Sequence, residues 1–266
     1  MEILILPTAA HAERLAARLV ADRLKAKPDL VLGCATGRTM EGIYESLVGL
    51  ARAEQLDFSR AHTFNLDEYV GLGADDERSY HHYMEEKLFS RVNLREEHTH
   101  LPNGVAADLA AEAASYEQRI RAVGGIDLQL LGLGNSGHIG FNEPLSSLMS
   151  RTREKALAPQ TRQQNAGMFG GDPEKVPPRA LTMGVGTILE AREVIMVVTG
   201  AHKAKILATA TEGPITSMVS ATALQLHPHC HVLVDEAAAT ELVGRDYYQW
   251  TFHNEPDWAP YHDLLS

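Results

Sequence analysis

Cysteine is scarce in this 266-residue sequence: only Cys34 and Cys230 occur, and they fit neither a CxxC pair nor a zinc-ligand spacing. So few cysteines exclude a disulfide-stapled scaffold, and we expect both to be reduced core residues. No apolar run approaches the about 18 residues of a membrane-spanning helix. Residues 1–7 also lack the basic segment and longer apolar region of a signal peptide. We therefore expect a cytoplasmic protein.

Basic residues are also fewer than acidic residues in this sequence. The chain carries 24 Lys and Arg against 35 Asp and Glu, a net charge of −11, and contains no basic run. This field repels nucleic acids and anionic membranes, so we expect neither as a partner. An anionic small molecule would need a local group of cations or backbone N–H groups, and single Arg and Lys residues beside glycine turns are therefore candidate ligands.

Strand-length apolar runs alternate with helical patterns along the chain, as in parallel strands joined by crossover helices. We expect an α/β fold with an open, mostly parallel sheet and helices on both faces, in a single domain spanning residues 1–266. The predicted strands are Ile3–Leu6, Leu30–Cys34, Ala61–Leu66, Ile126–Leu133, Val194–Thr199 and His231–Val234. The predicted helices are Ala9–Lys25, Met40–Ala53, Ala107–Arg121, Ala201–Thr211 and Ser217–Leu226.

Residues 143–178 interrupt this alternation, because they are rich in Ser, Arg, Gln, Gly and Pro. Long segments of this kind in compact domains are more often functional or mobile than inert. We expect an irregular lid here.

Residues that follow the predicted strands are the candidate site residues, because ligands bind at the carboxyl ends of strands in open α/β sheets. After Leu30–Cys34, the turn Thr36–Thr39 offers N–H groups, hydroxyls and the Arg38 guanidinium at the start of a helix. That chemistry suits a phosphate. Simple helix capping by Thr and Gly is an equally good explanation of the turn alone.

Two adjacent carboxylates, Asp67 and Glu68, follow the next strand. The two-residue period of extended chain sends them to opposite sides. One carboxylate would then enter the cleft as a base while the other anchors the loop. The alternative is a helix cap beside a surface acid.

The stretch Leu130–Pro144 is the most informative, because several glycines allow close backbone approach to a ligand. Gly132–Gly137 fits the GxGxxG pattern of dinucleotide-binding proteins, but we reject that interpretation. The motif is mid-chain, His and Pro follow where a helix should start, and no acidic residue ends a following strand at the expected distance. His138 and Glu143 instead resemble an imidazole and its carboxylate partner.

Lys203 lies after the strand Val194–Thr199 and a glycine turn, in the first turn of a helix. The helix dipole disfavours a cation there, so the lysine is a candidate anion ligand, with a solvated surface lysine as the alternative. His227, His229 and His231 are closely spaced, but no carboxylate accompanies them and we expect no metal site.

Four separated motifs, Asn65–Leu72, Ser79–Tyr80, Gly137–Pro144 and Leu224–Pro228, resemble signatures of the glucosamine-6-phosphate deaminases. They occur in the family's order, and the resemblance extends over about residues 32–241. It implies a Rossmann-like α/β fold, no cofactor, and conversion of glucosamine 6-phosphate and water to fructose 6-phosphate and ammonia.

The resemblance also implies roles for individual residues. His138 would open the sugar ring by proton transfer at the ring oxygen with support from Glu143, and Asp67 would move a proton from C2 to C1. An aldose-to-ketose shift independently requires such an acid and base, both with a pKa near neutrality. The residues implied to hold the substrate and its phosphate are Thr36, Gly37, Arg38, Thr39, Gly137 and Lys203.

The chain departs from the family pattern at two positions. Ser136 stands beside the catalytic histidine where many relatives carry Asp or Asn, and a neutral partner supports an imidazolium less well. Gly167 occupies the place where relatives usually have a substrate-binding Arg. We expect Arg38, where relatives usually carry a small residue, to replace the lost cation.

Residues 146–155 resemble the effector loop of hexameric members activated by N-acetylglucosamine 6-phosphate. Ser146, Arg153 and Lys155 would then bind an effector phosphate between subunits, and we expect a hexamer; the alternative is a basic, solvated flap. Other functions left open are a galactosamine-6-phosphate deaminase, a related 6-phosphogluconolactonase and a non-catalytic sugar-phosphate sensor.

Overall fold

The computed structural model describes residues 1–265, the last two by their backbone alone. The strands are β1 (Glu2–Leu6), β2 (Val31–Cys34), β3 (His62–Asn65), β4 (Asp67–Tyr69), β5 (Thr99–His100), β6 (Leu128–Leu131), β7 (Arg153–Ala156), β8 (Arg179–Thr182), β9 (Glu193–Val198) and β10 (Cys230–Asp235). The α-helices are α1 (Ala9–Ala26), α2 (Arg38–Glu54), α3 (Tyr80–Lys87), α4 (Leu109–Ala122), α5 (Pro159–Asn165), α6 (Val185–Leu189), α7 (Ala204–Glu212) and α8 (Arg245–Asn254).

The main sheet has seven strands in the order β1-β10-β9-β6-β2-β3-β5, and all its pairs are parallel. Its central strands are buried along their whole length, as expected for a sheet covered on both faces. The predicted α/β fold is confirmed. Cys34 and Cys230 are buried and unpaired, as predicted.

Strand order places the candidate residues together. β9, β6, β2 and β3 are consecutive in the sheet, and each of the four runs with unusual chemistry follows one of them. From β2 the chain adds β3 and β5 on one side of the sheet, and it then adds β6, β9 and β10 on the other side. The strand order therefore reverses between the neighbours β2 and β6, and at such a point α/β proteins form a crevice for ligands. The four loops therefore meet at one edge.

A small second sheet was not predicted. It is antiparallel, with the order β4-β8-β7. Its register aligns Asp67 with Thr182 and Thr182 with Arg153 across the three strands. The chain thus passes from the main sheet to the second sheet within two residues, because β3 ends at Asn65 and β4 begins at Asp67.

Residues 143–178 are more regular than their composition indicates. They contain β7, α5 and two short 3-10 turns, Ala166–Phe169 and Pro173–Lys175. β7 is half-exposed and carries polar side chains on both of its faces. Its sequence therefore shows no alternation of apolar and polar residues that would predict a strand. The predicted helix Ser217–Leu226 is a 3-10 helix from Ser220 to Leu226.

No helix in the described part of the chain is long and apolar enough to span a membrane. Within residues 1–265, no three His, Cys, Asp or Glu side chains converge as metal ligands would. His227 and His231 have separate partners: the His227 Nε2 lies 2.7 Å from the Ala191 carbonyl oxygen, and the His231 Nδ1 lies 3.0 Å from the Glu2 carboxylate.

Three histidines stack at the β3–β5 edge, and we expect them to make stability sensitive to acid. His62 lies 4.0 Å from His98 and 5.8 Å from His100, centroid to centroid. Burial, together with the charges of His62, Arg119 and His98, lowers the pKa of His100 to about 4. Because the unfolded pKa is higher, at 6.5, the folded state loses stability as pH falls from about 6.5 to 4.

His100→Phe keeps the ring stack on Phe64, whose centroid is 4.4 Å away, and removes the titration. We expect its melting temperature to fall less than that of the wild type between pH 6.5 and pH 4. Thermal unfolding across this range measures the difference. Parallel curves would assign the acid sensitivity to other groups.

Leu145 carries backbone strain, because it has a φ of 67° although it is not glycine. Its side chain is 73% exposed and therefore gains little from burial. We expect Leu145→Gly to raise the free energy of unfolding by about 1 kcal/mol. Gln55→Gly, at the C-terminal end of α2 with a φ of 53°, serves as the matched variant and should give a similar gain in denaturant titrations. A loss of stability in both would contradict the strain argument.

Candidate active site

Asp67 begins β4 and is buried, with 6% of its surface exposed. Burial, together with the nearby charge of Glu68, raises its pKa to about 8. Hydrogen bonds from the Thr182 hydroxyl and the Phe141 amide oppose this shift because they favour the ionised carboxylate. A carboxyl group that titrates near neutrality is suited to take up and return a proton.

Glu68 points away from Asp67, as the two-residue period predicts. Its carboxylate accepts hydrogen bonds from the amides of Tyr69, Tyr80 and His81, at 2.8 to 3.1 Å. Burial raises its pKa to about 7 against the effect of these three donors. Because two of the donors begin α3, Glu68 ties that helix to the strand that carries Asp67.

His138 lies in the turn after β6, and its burial lowers its pKa. Its Nδ1 is 2.7 Å from the Ser136 hydroxyl and 4.0 Å from Glu143 Oε2. The hydrogen-bond partner of this nitrogen is therefore Ser136, while Glu143 acts on the ring only through its charge, which raises the pKa. The contact between His138 and Glu143, the pair expected from the sequence, has an ion-pair distance that is longer than a hydrogen bond.

Gly134 is required by the position of this imidazole. A Cβ on Gly134 would lie 2.2 Å from His138 Nε2, which no side chain can accept. The turn is closed by a hydrogen bond from the Gly134 N–H to the His138 carbonyl, at 2.9 Å. No helix follows the turn in the described stretch from Leu131 to Arg153, in agreement with our rejection of the dinucleotide fingerprint.

Glu143 connects this loop to the segment 143–178. Its Oε1 accepts the Ala158 amide at 2.8 Å, immediately before α5. Its Oε2 is buried and has no hydrogen-bond partner among the described residues. A second connection joins the Asn135 amide to Gln164 Oε1 on α5, at 3.0 Å. The Asn135–Gln164 hydrogen bond thus attaches the segment to the loop that carries His138, and the Glu143–Ala158 hydrogen bond folds the segment back onto its own first residue, where the chain leaves that loop.

Lys203 reaches into the same loop from β9. Its Nζ donates to the Leu133 carbonyl at 2.8 Å and to Asn135 Oδ1 at 2.5 Å. Burial lowers its pKa to about 8, and its charge contributes to the lowered pKa of His138. Lys203 is therefore a partly desolvated cation beside His138 rather than a surface lysine.

The turn Thr36–Thr39 lies on the neighbouring strand β2. Gly37 has a φ of 113° and precedes α2, whose first amides, those of Arg38 and Thr39, have no acceptor within the helix. The Gly37 carbonyl accepts the Tyr83 hydroxyl at 2.9 Å, and the Thr36 side chain is hydrogen-bonded to Tyr80. Arg38 is exposed.

The backbone groups of one candidate, Gly137, are bound within the protein. The Gly137 amide donates to the Gly134 carbonyl and its carbonyl accepts the Ala221 amide, so its backbone groups are already used within the protein. Gly167 is exposed, in the turn after α5. The sequence offered no signal for Thr182 or Gln164, which are ordinary polar residues until the fold brings them to this loop.

The three candidate effector residues do not form one cluster. Arg153 donates to Asn142 Oδ1 at 2.9 Å and to the Arg151 carbonyl at 3.3 Å. Lys155 lies two residues further along β7. The Ser146 hydroxyl is buried without a hydrogen-bond partner in the part of the chain that the structure describes.

Known proteins with this architecture are numerous, and several are similar over nearly the whole chain. Glucosamine-6-phosphate deaminase of Streptomyces coelicolor is 46% identical, over 97% of this chain and 99% of its own length. The deaminase of Arthrobacter sp. strain FB24 is 47% identical over the same shares. A solved structure described as a monomeric glucosamine-6-phosphate deaminase superposes with a TM-score of 0.88 at 44% identity, covering 91% of this chain and 100% of that one.

More distant structures share the fold alone. The 6-phosphogluconolactonase from Trypanosoma cruzi superposes with a TM-score of 0.72 at 20% identity, covering 91% of this chain and 97% of that one. Residues 7–233 match the family described as glucosamine-6-phosphate isomerases/6-phosphogluconolactonase. The resemblance found in the sequence motifs is confirmed: the chain belongs to the glucosamine-6-phosphate isomerase/6-phosphogluconolactonase family.

Proposed function

We propose that the protein is a glucosamine-6-phosphate deaminase that converts glucosamine 6-phosphate and water to fructose 6-phosphate and ammonia. The observation that carries the proposal is the buried carboxyl of Asp67, whose pKa is raised to about 8 and which is bound to the same loop that holds His138. Two relatives named for this activity are 46% and 47% identical over nearly full length.

The chemistry requires two proton transfers at different atoms. His138 moves a proton at the ring oxygen, so that the closed sugar opens to the aldehyde. Asp67 then removes the C2 proton and returns it to C1, while the C1 oxygen gains a proton and the amino group loses one, which leaves a hydroxyl at C1 and an iminium at C2. Water adds to this iminium, the C–N bond breaks, and ammonia leaves with the ketose as product.

The phosphate would be held at the start of α2 and by Lys203. The free amides of a helix start and a partly desolvated ammonium provide charge where the global field is unfavourable. Fixing this remote group positions C1 and C2 against the catalytic side chains.

We expect Arg38→Ala to raise KM about tenfold with little change in kcat. A charge-assisted hydrogen bond to the phosphate accounts for about this loss, and Gly167 supplies no other cation. Arg52→Ala, an exposed arginine in the last turn of the same helix, is the control and should leave KM unchanged. Equal KM values for Arg38→Ala and the wild type would exclude a role in phosphate binding.

The test of the proposed function is ammonia release from glucosamine 6-phosphate and, in parallel, galactosamine 6-phosphate. Release from the first establishes the reaction. Preference for the second would assign the other C4 epimer, since the same proton transfers serve both. Tight binding of both sugars with no ammonia would identify a sugar-phosphate sensor. Hydrolysis of 6-phosphogluconolactone would identify a lactonase, although that reaction has no evident use for Asp67.

We further propose that N-acetylglucosamine 6-phosphate activates the enzyme at Arg153, with Ser146 and Lys155, in a hexamer. Arg153 lies opposite Thr182, which lies opposite Asp67, so a phosphate that drew Arg153 from Asn142 would act next to the catalytic carboxyl. Exposed apolar side chains on and beside this segment support a subunit contact: Leu145, Met149, Ile215 and Met218.

The similar solved deaminase is described as monomeric, so the mass in solution is decisive. A hexamer has about six times the 29.1 kDa of one chain. A mass near 29.1 kDa would overturn the assembly, and unchanged ammonia release with N-acetylglucosamine 6-phosphate would overturn the effector.

We also propose that residues 1–266 form one catalytic domain in the cytoplasm, that it serves N-acetylglucosamine catabolism, and that residues 143–178 close over the substrate. The hydrogen bond between Gln164 on α5 and Asn135, in the loop that carries His138, supports the lid. Substrate should protect the segment from limited proteolysis, and equal cleavage with and without substrate would exclude closure.

A further inference from the structure

We propose that Thr182 is the positioning residue that holds Asp67 ready to act as the base. The inference rests on the proposed deaminase reaction and deepens it. Thr182 is fully buried at the end of β8, in register with Asp67 on β4.

The hydrogen bonds around Thr182 determine the direction of its hydroxyl proton. The Phe141 amide donates to Thr182 Oγ1 at 3.0 Å, so that oxygen already acts as an acceptor. One acceptor for its own proton is the Met183 carbonyl, at an oxygen-to-oxygen distance of 3.5 Å, which is beyond the usual O–H···O range. The Asp67 carboxylate lies opposite Thr182 in the register of β4 and β8 and beside it against Gly140, and when ionised it is the stronger acceptor.

The contact is enclosed by the catalytic loop. A Cβ placed on Gly140 would lie 3.0 Å from Thr182 Oγ1 and 3.5 Å from Asp67 Oδ2, so both oxygens lie against the Gly140 backbone. Gly140 is two residues from His138 and adjoins Phe141. Thr182 therefore joins the base to the loop that carries the acid, although it touches no reacting atom itself.

The charged groups around Asp67 do not stabilise its carboxylate, so the Thr182 hydroxyl is important as a donor. The titratable groups that interact with Asp67 are Glu68 and Tyr69 on its own strand, Tyr80 on α3 and Tyr116 on α4. Burial raises the pKa of each tyrosine and so keeps its phenol neutral. None of these groups therefore provides a positive charge that would stabilise the Asp67 carboxylate. The Thr182 hydroxyl and the Phe141 amide are the donors that favour the ionised base.

The experiment compares Thr182→Val, which has the same shape without a donor, with Thr182→Ser, which keeps the hydroxyl. We expect the acid limb of kcat/KM for ammonia release to move about one pH unit upward in Thr182→Val, with recovery of activity at higher pH. Thr182→Ser should keep the wild-type profile. A uniform loss of rate in Thr182→Val with the limb unmoved would overturn the inference.

A second readout does not depend on turnover. Asp67 has a folded pKa above its unfolded value of 3.8, so its presence lowers stability progressively as pH rises from about 4 to about 8. The stability difference between wild type and Asp67→Asn, followed against pH, reports this titration. In the Thr182→Val background the decline should continue about one pH unit higher. An unshifted decline refutes the role of Thr182 even if the protein deaminates no sugar.

Discussion

Asp67→Asn should lose about 10²- to 10⁴-fold in kcat for ammonia release while still binding the sugar phosphate. An amide cannot take the C2 proton, whereas the phosphate contacts are elsewhere. The folded protein should tolerate the change, because burial already favours the uncharged form of this group. At pH 8 the variant should be at least as stable as the wild type. Ammonia release and exchange of the C2 hydrogen with solvent deuterium are the measurements.

Glu68→Gln is the matched control, since it neutralises the adjacent carboxylate. Glu68 accepts three backbone amides and lies away from the loop of His138, so its loss should reduce stability more than turnover. If Asp67→Asn retains wild-type exchange at C2, Asp67 is not the base. If Glu68→Gln instead abolishes exchange, the two carboxylates have exchanged roles.

His138→Asn should also slow ammonia release about 10²- to 10⁴-fold, by a different step. Asn keeps a polar atom near the Ser136 hydroxyl but cannot move a proton at the ring oxygen. The variant then depends on sugar that opens spontaneously in water. Exchange at C2 should persist at a reduced rate, in contrast to its absence in Asp67→Asn.

Ser136→Ala tests whether the ring needs its hydrogen bond. It removes the 2.7 Å partner of Nδ1 and leaves Glu143 at 4.0 Å. We expect about a fivefold loss, the cost of one ordinary hydrogen bond. Full activity in His138→Asn would exclude the ring-opening role, whichever result Ser136→Ala gives.

Six of the seven strands of the main sheet could be predicted, because they are largely buried, apolar runs. β1, β2, β3, β6, β9 and β10 lie within two residues of the expected bounds at every end. β4, β5, β7 and β8 were not predicted. These strands are two to four residues long, and β4 and β7 carry charged side chains that stand at a sheet edge or in the site, so no period is visible.

The candidate site was predicted in outline for a similar reason. Polar residues directly after apolar strands stand out from their surroundings, as Asp67, His138 and Lys203 do. Thr182 does not stand out, since its neighbours in sequence give it no special context. Its importance comes from Asp67 and Phe141, which are distant in sequence.

The sequence by itself determined the α/β alternation, the loops that carry the chemistry and the family, because local apolar periods and contiguous motifs encode these features. Only the tertiary structure decided how far Ser136 and Glu143 each lie from His138, that Glu143 anchors α5, and that Thr182 faces Asp67. These facts depend on distances of a few tenths of an ångström between residues brought together by strand order and register. A linear sequence pattern specifies neither these distances nor the strand order and register on which they depend.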